Sequence, residues 1–133
     1  MNARGVKAVI IGGHAVAYHA KPRYTKDLDL LVEPSTENAR RLLTALEDFG
    51  FGDVDLEPDD FTTAGRVVQL GVAPNRIDIL NSIEGVTFEQ VWAGRVPGRY
   101  GQSQVFYIGK PELILNKRAA GRPQDLADLD WLT

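Results

Sequence analysis

The 133-residue chain contains no cysteine. Disulfides, zinc–thiolate sites and thiol nucleophiles are thereby excluded, and redox chemistry does not set the compartment. No apolar run approaches membrane-spanning length. The short apolar stretch near the N-terminus leads straight into Gly12-Gly13, unlike a secretory signal. These absences predict a cytoplasmic protein with no membrane partner. No repeat, linker or low-complexity tract divides the chain, so residues 1–133 are expected to form a single domain. The net charge of -3 argues against a general basic footprint for duplex nucleic acid.

Charge is nevertheless unevenly placed. Residues 27–60 carry eleven Asp or Glu against two Arg, whereas residues 95–122 carry six Lys or Arg against Glu112 alone. An acidic first half and a basic late segment suit a ligand that combines a cation with polyphosphate; ordinary surface charge is the alternative.

Val6 to Ile11 reads as a short buried strand, broken by Gly12-Gly13. His14 to Ala20 suits a short helix closed by Pro22, and Asp27 to Glu33 a second strand ended by Pro34. Ser35-Thr36-Glu37 is a helix start, with a hydroxyl cap and an acid in the first turn. Ala39, Leu42, Leu43, Leu46 and Phe49 mark its inner face, and Gly50 ends it. Phe51 to Thr63 reads as an acidic loop. Arg66 to Val72 and Arg76 to Leu80 flank Pro74-Asn75 as a hairpin. Thr87 to Ala93 suits a short helix and Gln104 to Ile108 a late strand. Lys110-Pro111 opens a helix that runs to Gly121, and Pro123 starts a last helix with Leu126, Leu129 and Leu132 expected inward. Trp92, Phe106, Tyr107 and Trp131 are expected in the core. The pattern predicts an α/β (α+β) fold, a mixed sheet flanked by helices.

Two aspartates inside an apolar run, Asp27-Leu28-Asp29-Leu30-Leu31-Val32, are the unusual feature. Alternation puts Asp27 and Asp29 on one face of a strand; the competing reading is that they end a loop and only Leu30 onward is strand. Both ionised, they repel; a divalent cation relieves the conflict and prefers oxygen ligands. Arg76-Ile77-Asp78-Ile79-Leu80 repeats the arrangement. If the two strands are neighbours, three carboxylates converge, enough for one or two Mg²⁺ ions. The competing reading of Asp78 is a strand residue paired with Arg76. At Gly12-Gly13, between strand and helix, backbone N–H groups can face a phosphate that missing Cβ atoms allow close.

Together these residues resemble the nucleotidyltransferase superfamily, the polymerase-beta-like minimal nucleotidyltransferases. The likeness lies in Gly12-Gly13, Asp27-Leu28-Asp29-Leu30 and Asp78, in order and spacing. Arg23-Tyr24-Thr25-Lys26-Asp27-Leu28-Asp29 is similar to a motif of the toxin-type nucleotidyltransferases of abortive-infection and toxin–antitoxin systems. Lys117 with Arg122-Pro123-Gln124-Asp125-Leu126-Ala127-Asp128 resembles that group's Lys…Arg-x-x-Asp-x-x-Asp pattern. The likeness spans about residues 8 to 130. It implies that Asp27 and Asp29 bind two Mg²⁺ ions holding an NTP such as ATP. Asp78 would bind the second metal and help activate an acceptor hydroxyl on a protein, RNA or small molecule. It further implies a nucleotide site at Gly12, Gly13, Arg23, Thr25, Lys117 and Arg122, and as partners a cognate antitoxin or a second copy; the competing reading of Lys117 and Arg122 is a solvated helix end or a salt bridge to Asp125 or Asp128. Gly13 stands where relatives often carry serine, so backbone groups would do that residue's work. The further helical domain of many relatives is expected to be missing after Thr133, leaving acceptor choice to the core, an oligomer or a partner.

A catalytically silent antitoxin or regulatory module of the same fold is the competing expectation, and an aminoglycoside-type adenylyltransferase a third. The acidic run Asp53 to Asp60 does not make a calcium loop, because Pro58 and Ala64 stand where glycine and glutamate are required. His14 and His19, five apart, do not share a helical face for zinc. His14 is either a site-lining residue or a cap.

Overall fold

The chain alternates β1 (Ala8–Ile11), α1 (Gly12–His19), β2 (Leu28–Val32), α2 (Thr36–Asp48), α3 (Asp59–Thr62), β3 (Val67–Leu70), β4 (Ile77–Leu80), α4 (Phe88–Ala93), β5 (Val96–Tyr100), β6 (Ser103–Tyr107), α5 (Lys110–Ala120) and α6 (Pro123–Leu132). These elements come from a computed structural model that describes residues 5–20, 27–48, 55–71 and 76–133. The strands form one mixed sheet in the order β3-β4-β2-β1-β6-β5. The expected α+β architecture is therefore present.

The central strands are the most apolar. β1 is buried at every position, as a strand covered on both faces must be. It runs antiparallel to β2, with Ile11 opposite Asp29, and parallel to β6. β2 runs parallel to β4, and α2 supplies part of the long connection that parallel pairing requires. The β3–β4 pair is antiparallel, as expected; its turn at Pro74-Asn75 lies outside the described residues.

One apolar cluster joins β1 to α1, α4, α5 and α6 through Val9, Ile10, Val16, Val91, Leu113 and Leu132. The other lies under α2, where Ala39, Leu42 and Leu46 meet Phe61, Val68 and Leu70. Ser35 caps α2, its hydroxyl accepting from Asn38 N at 3.2 Å. Phe49 and Gly50, expected to finish this helix, are outside the described residues. Thr87 and Gln90 form a reciprocal capping box on α4. Gly121 ends α5 with φ +64°, the left-handed conformation that favours glycine there.

Four expectations need correction. Asp59–Thr62 is a short helix inside the stretch read as loop, with Phe61 as its buried anchor. β5 forms where the residue pattern predicts no strand, because Val96-Pro97-Gly98-Arg99-Tyr100 carries a proline and a glycine. At the sheet edge proline is tolerated, since one side of the strand has no ladder to complete. Leu126 is 53% exposed and Trp131 56% exposed, not inward. α6 instead turns Asp125, Asp128 and Leu132 inside, one helical stripe drawn in by a buried lysine on α5. Trp92 and Phe106 are half-buried, each packing against the Arg95 guanidinium at 3.8 and 4.7 Å from the ring centroids. Tyr107 is core, as expected, and stacks on Tyr18 at 4.2 Å, which fastens the β5–β6 hairpin to α1.

Two buried asparagines act as backbone clamps. Asn38 Oδ1 accepts from Lys7 N at 2.7 Å, and its Nδ2 donates to Lys7 O at 3.1 Å and Glu33 O at 2.9 Å. Asn81 likewise accepts from Gly65 N and donates to Phe61 O and Thr63 O. Asn38→Ala would strand one partly buried N–H and remove a donor to two carbonyls. We expect a loss of about 2 kcal/mol, read as a lower urea midpoint at unchanged slope.

Candidate functional site

The pairing of β2 with β4 sets Asp29 directly opposite Asp78, with Leu28 opposite Ile77. Asp27 stands just ahead of β2 and Arg76 just ahead of β4. Leu28 N donates to Arg76 O at 3.1 Å, which pins the two strand entrances together. Three carboxylates thus gather at one end of the sheet. Asp29 also lies across the β1–β2 ladder from Ile11, the residue before the glycine pair.

Arg76 bridges two of the acids. Its Nη2 donates to Asp27 Oδ2 at 2.9 Å and to Asp78 Oδ2 at 3.3 Å, and its Nε lies 3.1 Å from Asp78 Oδ1. Asp29, the third acid, is half-buried. Its carboxyl is pushed up to about 6, first by burial, then by the charges of Asp78 and Asp27; Arg76 and Lys117 pull it back only in part.

Gly12 opens α1 with φ +70°, and a Cβ there would collide with Asp29 Oδ2. Glycine is required twice over, by conformation and by the carboxylate against it. The cap position, Ile11, offers no side-chain acceptor to the first N–H groups of α1, and no acid lies in its first turn. Gly13 follows in that turn. His14 is half-buried with its ring edge-on to Tyr100 at 5.2 Å, and burial lowers its pKa. Arg23 and Thr25, both expected to serve the nucleotide, lie outside the described residues.

Lys117 and Arg122 are near enough to interact electrostatically with Asp29. Their main partners are elsewhere. Lys117 is buried, with Nζ 3.0 Å from both Asp125 Oδ1 and Asp128 Oδ2. Asp128 also accepts from Gln124 Nε2 at 2.9 Å. Arg122 lies at the surface and donates from Nε to Asp125 Oδ2 at 2.7 Å. Burial alone would push Asp125 up; hydrogen bonds from Arg122 and Lys117 more than offset it and hold the carboxyl below its ordinary value. Arg122 is raised in turn, chiefly by the same hydrogen bond. Lys117 thus ties α5 to α6, whereas Arg122 pairs within the start of α6.

An all-oxygen donor set beside a glycine cradle fits a hard divalent cation. Among the described residues, however, no three acids or histidines are arranged as a ready metal cage, and Asp27 and Asp78 pair with Arg76 instead. Arg76 is the residue that sequence reasoning undervalued. Its signal was the i, i+2 spacing from Asp78, which puts both on one strand face. No family model and no curated protein matches the chain.

Two measurements follow. Asp29 is raised in the folded state, so the contribution of this one group to stability is fully present below the unfolded value of 3.8 and is lost as pH rises towards and through about 6. In chelator-treated buffer at pH 7 to 8, Asp29→Asn is expected to be more stable than wild type by about 1–2 kcal/mol, allowing for solvent screening at this half-buried group. That advantage should fade below pH 4; a pH-independent difference would contradict the assignment. Separately, Lys117→Ala leaves two buried carboxylates without their ammonium and is expected to cost about 3–5 kcal/mol in urea unfolding.

Proposed function

We propose that the chain is an Mg²⁺-dependent nucleotidyltransferase, moving NMP from an NTP to a hydroxyl of a protein, RNA or small-molecule acceptor. The observation that carries this reading is Asp29 opposite Asp78, with Asp27 at the same strand mouth, beside a glycine turn that a Cβ would fill. Asp27, Asp29 and Asp78 would hold the cations, two in the full scheme. When bound, the cations would supply charge neutralisation for the attacking and leaving oxygens.

The chain's own part is positioning. The uncapped N–H groups at Gly12 and Gly13 would receive a phosphate. Arg122, at the surface next to the acids, would screen the triphosphate, with Arg23 and Thr25 as further candidates. Lys117 would contribute through its field while its buried pairs hold α5 against α6. In the reaction, the acceptor oxygen bonds to the α-phosphorus as the α–β bridging bond breaks. Pyrophosphate leaves, and the hydroxyl proton passes to a carboxylate, for which Asp78 is the candidate. Removing water and fixing the in-line geometry is the contribution required of the protein. A toxin–antitoxin component in the cytoplasm, with a cognate antitoxin or second copy as partner, is the setting this reading suggests. Among the described residues no helix is long and apolar enough to cross a membrane.

One observation favours a second reading. Arg76 already holds Asp27 and Asp78. Were that contact permanent, the chain would be a silent binding module. Purified protein incubated with each α-labelled NTP, Mg²⁺, RNA and lysate decides between them. We expect label transfer that falls by at least about a hundredfold in an Asp27→Ala/Asp29→Ala variant. Absence of transfer with every nucleotide, alongside metal-independent partner binding, would favour the silent module.

A further inference from the structure

Arg76 is held at a place it does not fit well. Its backbone carbonyl accepts from Leu28 N, so its Cα is fixed at the mouth of β2 and β4. From there one nitrogen, Nη2, serves carboxylates on both strands. The second contact, Nε to Asp78 Oδ1, is short at 3.1 Å yet makes no hydrogen bond, and both atoms are buried with no other hydrogen-bond partner among the described residues. An arginine matched to one carboxylate donates two parallel N–H bonds. Here the fork is split between two acids, and Asp78 Oδ1 is left without a hydrogen bond. The same region contains a third acid, Asp29, which Arg76 only partly compensates.

We propose that Arg76 is a built-in competitor for the divalent cation. The guanidinium and a cation use the same oxygens of Asp27 and Asp78, so a cation enters by displacing Arg76. The freed guanidinium, still anchored at the site by its backbone, becomes available to an anionic group such as a nucleotide phosphate. This inference rests on the metal-dependent reading above and extends it to how the site opens. The poorly aligned half of the contact is what makes exchange feasible: a cation with oxygen preference gains Asp78 Oδ1, which the arginine leaves without a hydrogen bond.

The test is binding of Mn²⁺ alone, by calorimetry and electron paramagnetic resonance, to the full chain without nucleotide. Arg76→Gln is expected to bind on the order of tenfold more tightly than wild type, with a larger gain in Tm on adding Mn²⁺; Asp29→Asn should weaken binding in both backgrounds. Equal affinity in wild type and Arg76→Gln, with binding still dependent on Asp29, overturns the competitor role and leaves the metal reading standing. Absence of Asp29-dependent binding in either protein overturns the metal reading, and this inference with it. Should Arg76→Gln not fold, wild type alone suffices. The Arg76 Nε–H resonance, followed during an Mg²⁺ titration, should move towards the free-arginine position with the midpoint of cation binding. A stationary resonance while the cation binds overturns the proposal.

Discussion

Parallel pairing of β2 with β4 is the constraint on which the site depends. It sets two aspartates face to face across neighbouring strands and brings a third to the same entrance. Strand ladders are held by backbone hydrogen bonds and by the apolar residues that alternate with the acids, so the fold imposes the proximity whatever its electrostatic cost. Carboxylates this close require a compensating cation or a retained proton. The split contacts of Arg76 answer that requirement, and the raised Asp29, due first to burial, answers it in part. A hard cation would be a third answer.

The glycine turn belongs to the same constraint. Asp29 lies against the start of α1, so the first helical residue can have no Cβ. The positive φ of Gly12 and the closeness of the carboxylate are separate reasons for one residue. They place the uncapped start of α1 beside the acids, which makes the pairing of a phosphate with a cation a coherent chemical reading of the site.

At the other border, Lys117, Asp125 and Asp128 form a buried ionic cluster between α5 and α6. Such a cluster gives little net stability over an apolar replacement, but breaking it is costly. It also sets the rotation of α6, turning Leu126 and Trp131 outward where apolar periodicity predicts them inside. A variant at Lys117 therefore perturbs structure and electrostatic field together, and loss of activity there would not by itself mark a phosphate ligand.

Much of this was legible in the residues. The apolar run of β1, the Ser35 cap, the proline-led starts of α5 and α6 and the strand that carries Asp29 all follow from local rules of burial, capping and alternation, although Asp27 lies just ahead of that strand. Alternation also put Asp27 with Asp29, and Arg76 with Asp78, on shared faces. What local rules cannot decide is which strand lies beside which, because pairing joins residues about fifty positions apart through backbone groups that every residue carries alike. Tertiary structure alone therefore decided that Asp29 meets Asp78, that Arg76 bridges two strands and that an edge position admits Pro97 in β5. It also decided that Lys117 is buried among aspartates, since the partners of a charge depend on what packs around it.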